Sequence, residues 1–214
     1  MKRSLLISAF EPFDDEPVNP SALAVERLPE SIDGVKIEKI ILPTAFGESL
    51  TRLLEAVERF RPEAVLCVGQ AGGRAEITPE RVAINLIDAR IADNQGNQPI
   101  DEAIEPAGES AYFSTLPVKA MVAALKEKDI PASLSNTAGT FVCNYIMYGL
   151  LHHLQSLEGV RGGFVHVPFI PEQLERHPNA PSLALETITL ALEICLRTIV
   201  HQRVDTKQSE GAES

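Results

Sequence analysis

Ala64-Val65-Leu66-Cys67-Val68-Gly69 is the stretch that decides the fold. Its apolar run is too short for a core helix and shows no polar alternation, so both of its faces must be covered. A strand of that kind belongs inside a parallel sheet with helices on either side. Upstream of it, Leu50, Leu53, Leu54 and Val57 repeat at the 3–4 spacing of a helix with one buried face. Before them lie a strand-like run over Val35–Leu42, a helix over Ala22–Leu28 opened by Asn19-Pro20-Ser21, and a first strand over Leu5–Phe10. Downstream, helices are expected over Val118–Lys128, Cys143–Leu154 and Ser182–His201, with strands at Ala132–Ser135 and Gly163–Val167. This alternation predicts an α/β fold, a single-domain three-layer α/β/α arrangement with a mostly parallel twisted central sheet over residues 1–204. The polar tail 205–214 is expected to be disordered. Between Gly69 and Pro117 the pattern breaks into a Gly-, Asn-, Asp- and Pro-rich stretch with strand-like pieces such as Val82–Leu86, and long irregular segments inside compact domains usually carry function.

A chain of 214 residues buries a sizeable core without disulfides or metals. The formal net charge of −11 argues against a nucleic-acid partner, because tracking phosphates requires concentrated Lys and Arg. The apolar run after Lys2-Arg3 stops at Glu11-Pro12, too short for a signal core, and no run approaches the roughly 18 apolar residues of a membrane span. Three widely separated Cys do not make a secreted disulfide framework, so a cytoplasmic location and no membrane association are expected. Neither metal-ligand spacing nor a phosphate-cradling Gly motif is present, and Gly69-Gln70-Ala71-Gly72-Gly73 lacks the Lys-Ser/Thr of a P-loop; no cofactor is expected.

The three cysteines differ in context. Cys67 is interior to the apolar strand, and Cys195 lies in a stripe with Leu185, Ile188, Leu192 and Ile199 at spacings of 3, 4, 3 and 4; both read as core. Cys143 follows a small-residue turn and opens a helix, where free N–H groups and the dipole favour a thiolate and an oxyanion. Its spacing also fits the start of that helix's apolar stripe, so position alone leaves nucleophile and core readings level. A cysteine hydrolase needs a base. His152 and His153 close the Cys143 helix, His177 precedes a proline, and His201 ends the last helix. His166 stands at a strand end. Glu80 is one candidate to orient that imidazole, with Asp88, Asp93 and Asp101 competing; Thr78-Pro79-Glu80 also reads as the capped start of a short helix.

Four ordered motifs then identify a resemblance over nearly the whole chain. They are Phe10-Glu11-Pro12-Phe13 with Asn19-Pro20-Ser21; Gly69 to Arg74 continuing through Pro79-Glu80-Arg81-Val82-Ala83-Ile84-Asn85 to Ala89-Arg90; Ala138 to Asn144; and His166-Val167-Pro168. The chain resembles the pyroglutamyl peptidase I (pyrrolidone-carboxylate peptidase) family. The resemblance implies a cysteine exopeptidase that removes an N-terminal pyroglutamyl residue from peptides through a thioester, with Glu80, Cys143 and His166 as its triad. It further implies a pocket in which Phe10 and Phe13 pack on the lactam ring and Phe141, Val142 and Ile91 supply apolar wall. Asn19 and the backbone near Gln70 would meet the lactam's polar atoms, and Arg90 would lie beside the nucleophile. A homotetramer is implied as well. A non-catalytic binder of pyroglutamyl peptides on the same scaffold is the alternative. The chain departs from the family pattern in having Ser8-Ala9 for Thr-Gly and Asp14-Asp15 for Gly-Gly.

Overall fold

The computed structural model describes residues 3–210. Strands β1 (Ser4–Phe10), β3 (Val35–Leu42), β4 (Ala64–Gln70) and β8 (Arg161–Val167) form a parallel core, extended by antiparallel β2 (Ser31–Ile32) and β5 (Thr78–Glu80) in the order β2-β3-β1-β4-β8-β5. A separate hairpin pairs β6 (Val82–Ile84) with β7 (Ala111–Phe113). Helices α1 (Pro20–Arg27), α3 (Val118–Lys126) and α5 (Leu185–His201) share one apolar core with one face of the sheet. Helices α2 (Glu48–Phe60) and α4 (Val142–Leu154) share a second core with the other face. The alternation of β1 shows the division: Leu5, Ile7 and Ala9 enter the first core, Leu6 and Phe10 the second. Every residue from Ala64 to Gly69 is buried, as a strand covered on both faces must be.

Local chemistry sets the helix ends. Asn19 caps α1, its Oδ1 accepting from Ser21 N at 3.0 Å, with Pro20 in the first turn. Helix α2 stops where Arg61 turns left-handed at φ 45°.

Two expectations are corrected. Residues 132–135 do not form a strand but meet β5 through isolated parallel bridges, Ile77 to Ala132 and Glu80 to Ser135. The surviving bonds run from Ile77 N to Pro131 O, Ser133 N to Ile77 O, Ser135 N to Pro79 O and Arg81 N to Ser135 O. The rung missing from that ladder is the one Pro79 would donate, and proline has no N–H. The second concerns the tail. Asp205 accepts from Lys119 N and Ala120 N at 3.0 Å, so it caps α3, and Lys119 Nζ donates to Gln208 O at 2.7 Å. Residues 205–210 therefore lie along α3; 211–214 fall outside the described residues. Among the described residues no helix is long and apolar enough to cross a membrane.

Candidate active site

In an open α/β sheet, side chains converge where the strand order reverses and the C-terminal strand ends face solvent. Here that point lies beyond β1 and β4, since the chain leaves β1 for β3 on one side and then returns to β4 on the other. Phe10 ends β1, Gln70 ends β4, and His166 is the penultimate residue of β8. Cys143 is the second residue of α4, after Phe141 as N-cap.

Gly69 explains how Cys143 reaches the sheet. It stands level with His166 in the β4–β8 register, and a Cβ placed on it would lie 2.8 Å from Cys143 Sγ and 2.8 Å from Phe164 Cζ. Only a residue without a side chain lets the sulfur approach the strand end. His166 is buried, and its Nδ1 is 2.7 Å from Glu80 Oε1. Thr78, not Glu80, is the residue opposite His166 in the antiparallel pair; Glu80 is the diagonal neighbour on the same face, a gap that two such side chains can bridge. Thr78–Glu80 is thus an edge strand, which excludes the helix-cap reading of these residues.

Motif and spacing give Arg74 no role, yet it is part of this arrangement. Its Nη1 donates to Glu80 Oε1 at 2.6 Å and to Thr78 Oγ1 at 2.5 Å, and its Nη2 donates to Thr137 O at 3.0 Å. Only the topology supplies a signal for it: Arg74 follows the Gly72–Gly73 turn after β4 and shortly precedes β5, which carries Glu80. Burial pushes the Glu80 pKa up, but the His166 hydrogen bond and the charges of His166 and Arg74 outweigh it, leaving the carboxyl below its ordinary value. His166 is depressed, chiefly by burial, against the opposing pull of Glu80, and so is neutral near pH 7.

Two effects at Cys143 oppose the thiolate that its helix position favours. Burial, followed by the Glu80 charge, pushes its thiol up to about 12. A helix N-terminus is worth at most about 2 kcal/mol, roughly 1.5 pKa units, and is the smaller effect. Cys67 and Cys195 are raised to about 12 as well, but both are wholly buried in the two cores, whereas Cys143 is half-buried and lines a cavity.

That cavity, of about 210 Å³, also takes in Phe10, Phe13, Asn19, Gln70, Phe141, Val142 and His166. Arg74, Thr44, Ala71, Ala138 and Gly139 complete its lining without having been expected there, the last two lying in a motif whose other residues are singled out by sequence. Phe141 is gripped by Phe13 (centroids 6.3 Å) and by Phe46, edge-on at 5.4 Å. Asn19 is committed as a cap: its Nδ2 donates to Glu11 O at 3.2 Å, and its Oδ1 accepts from Ser21 N and Oγ. Arg90 and Ile91 are not part of the lining; Arg90 is exposed, so the structure does not bring it to Cys143. The competing carboxylates are elsewhere: Asp93 accepts from the backbone N–H groups of Phe46, Gln95 and Asn97, and Asp88 and Asp101 are exposed. Of the other histidines, His152 meets Tyr112 Oη at 3.0 Å and His201 meets Asp33 at 2.8 Å. A larger cavity of about 510 Å³ beside α2 and α4 is lined by His152 and His153 but by none of Glu80, Cys143 and His166.

Residues 3–202 match the family model described as pyroglutamyl peptidase. A pyrrolidone-carboxylate peptidase of an Enterobacter species is 53% identical, covering 98% of this chain and 99% of its own, and pyrrolidone-carboxylate peptidase 1 of Photorhabdus laumondii is 52% identical, with 98% of each covered. The crystal structure of pyroglutamyl peptidase I from Bacillus amyloliquefaciens superposes with a TM-score of 0.94 at 46% identity, covering 98% of this chain and all of that one. With a family match over almost its whole length, relatives this near and a shared architecture, the chain belongs to the pyroglutamyl peptidase family.

Proposed function

We propose that the chain is a cysteine exopeptidase that hydrolyses the amide bond after an N-terminal pyroglutamyl residue, with Cys143 as nucleophile, His166 as proton carrier and Glu80 as the group that orients it. The observation carrying this reading is the buried 2.7 Å contact between Glu80 and His166 at the cavity that Cys143 lines. At rest thiol and imidazole are both neutral, so attack and proton transfer go together. The Cys143 sulfur bonds to the pyroglutamyl carbonyl carbon as its proton passes to His166 Nε2. The imidazolium, paired with Glu80, returns that proton to the departing amine as the C–N bond breaks, leaving a thioester. Water then attacks the thioester carbonyl, giving its proton to His166, and the sulfur leaves with that proton restored. The first-turn N–H groups of α4 are suited to the oxyanion formed in both steps.

Selectivity has a physical basis in the lining. Pyroglutamate carries no α-ammonium, so it fits an aromatic wall of Phe10, Phe13 and Phe141, while an ordinary N-terminus would bury an unpaired charge at a cost of several kcal/mol. The family resemblance also supports a homotetramer working in the cytoplasm, and light scattering of the purified chain checks the assembly. A chromogenic pyroglutamyl amide tests the activity: the natural chain should release the amine, and Cys143→Ser should lower turnover at least about 10³-fold. Saturable binding without any turnover by the natural chain would instead make it a binding module.

A further inference from the structure

The cavity crosses the ends of several strands, and its two ends are unlike. Phe10 and Phe13 line it on the β1 side, and Cys143 and His166 stand between them and Arg74, whose guanidinium is tied to Thr78 and Glu80 of β5. In the reaction proposed above, the acyl part of the substrate fills the aromatic end. The amine part must then leave the Cys143–His166 pair on another side. Arg74, with Ala138 and Gly139, forms the opposite end of the same cavity.

Arg74 also lines a second hollow, of about 380 Å³ and open to solvent, with Ala75, Glu76, Thr78, Ser133 and Ser135. Alternation along the chain puts this hollow on the Cys143 side of the sheet. Ile77, Ala132 and Leu134 enter the first core, so Thr78, Ser133 and Ser135 face the other way, toward the layer that contains α4. The hollow thus continues the cavity outward past Glu80, with Arg74 as the divide. Of the five guanidinium N–H groups, Thr78 Oγ1, Glu80 Oε1 and Thr137 O take three, which leaves two for a passing carbonyl.

Glu76 gives the hollow its charge. It is half-buried there and has neither a hydrogen bond nor an ion pair among the described residues. Arg74 does not neutralise it, because the carboxylate that Arg74 pairs with is Glu80. A carboxylate recessed from water and without a cation attracts positive charge more strongly than an exposed one. The formal net charge of −11 adds to that pull over a longer range.

We propose that this hollow receives the leaving side of the substrate, and that Glu76 favours peptides carrying a basic side chain within the first two residues after the cleaved bond. The inference rests on the pyroglutamyl reading above and deepens it by naming the class of peptide.

The test compares kcat/KM for pyroglutamyl-Lys-Lys amide with that for pyroglutamyl-Glu-Glu amide at low salt. Only the ratio is read, so any change common to both substrates cancels. In the natural chain the ratio should be at least about fourfold in favour of the Lys peptide and shrink in high salt. Glu76→Lys should lower it at least about fourfold, and Glu76→Gln about twofold. Glu26→Lys, on α1 in the opposite layer, alters the net charge equally and should move it less than about 1.5-fold. Ser133→Trp fills the hollow while leaving Glu76 in place, and should also lower the ratio. A natural ratio near one, a ratio indifferent to Glu76→Lys, or an equal effect from Glu26→Lys overturns the proposal. An unchanged ratio in Ser133→Trp does so too, by sending the leaving chain elsewhere. If Glu76→Lys does not fold, Glu76→Gln decides by the same comparison. A natural chain that cleaves neither peptide defeats the underlying function instead.

Discussion

The scaffold beneath Glu80, Cys143 and His166 and the rim loop 11–18 border the same cavity but are fixed by different means. On the scaffold, backbone ladders do the fixing: His166 and Gly69 are level across β8 and β4, and Glu80 is set by its pairing with Phe164. The rim loop has no ladder. Its turn runs through Asp14 and Asp15, both left-handed at φ 55° and 58°, and closes with Glu16 N donating to Phe13 O at 3.1 Å. Side chains from the 170s hold it from outside, Gln173 and His177 on Glu16 and Arg176 on Asp15 O. The lesson is a division of labour: hydrogen-bond register places the groups proposed to move protons, and side-chain ties place those proposed to select the substrate.

Substitutions on the two sides should therefore fail differently. Glu80→Gln should have the largest effect, lowering kcat about 10²- to 10⁴-fold with KM little changed, because the imidazolium loses its counter-charge. It should also lose stability, since Arg74 is left without its partner; a near-normal kcat would remove Glu80 from the mechanism. The pH profile of kcat/KM comes next. With His166 depressed, the acid limb should lie below pH 6.5 and fall about tenfold per unit there, and with Cys143 near 12 no alkaline limb should appear around pH 8–9. Stability should follow the same sign. The lowered His166 pKa costs stability as pH falls from about 6.5 toward its folded value, and the lowered Glu80 pKa removes more as pH falls from about 4.5 through its own. Urea titrations from pH 8 to 4 would register any opposite trend.

Gly69→Ala is a milder probe of the scaffold. Its Cβ would press on Cys143 Sγ and the Phe164 ring, so about 1–3 kcal/mol of stability and most of kcat should go together. Smallest of all, Asp15→Gly should change the unfolding free energy by less than about 1 kcal/mol and leave kcat alone, because glycine relieves the left-handed angle but frees the unfolded chain. A large kcat effect from Asp15→Gly would break the contrast between rim and scaffold.

The same contrast explains what the sequence disclosed. Apolar periodicity gave the layers and the parallel strands, because burial on a sheet leaves its period in the residues, and Cys67 and Cys195 were recognisable as core for that reason. It did not reveal that Pro79 interrupts the pairing of 131–135, since the consequence of a missing N–H depends on which neighbour it faces. The choice of Glu80 over Asp93 came from family resemblance alone: both are buried carboxylates in one irregular segment, and only the β5–β8 register separates them. Arg74, Gln173 and His177 stayed hidden because their partners are supplied by the folded loop. The resemblance placed Arg90 and Ile91 at the pocket, where the lining does not include them.

The upward push on the Cys143 thiol bears on how long such a protein would keep working. Peroxides oxidise the thiolate and largely spare the thiol, so a sulfur held near pKa 12 is a poor target for conversion to sulfenic acid or a mixed disulfide. In the proposed mechanism, deprotonation coupled to a bound carbonyl would confine reactive sulfur to the moments of turnover, and oxidative damage would become a hazard of use more than of age.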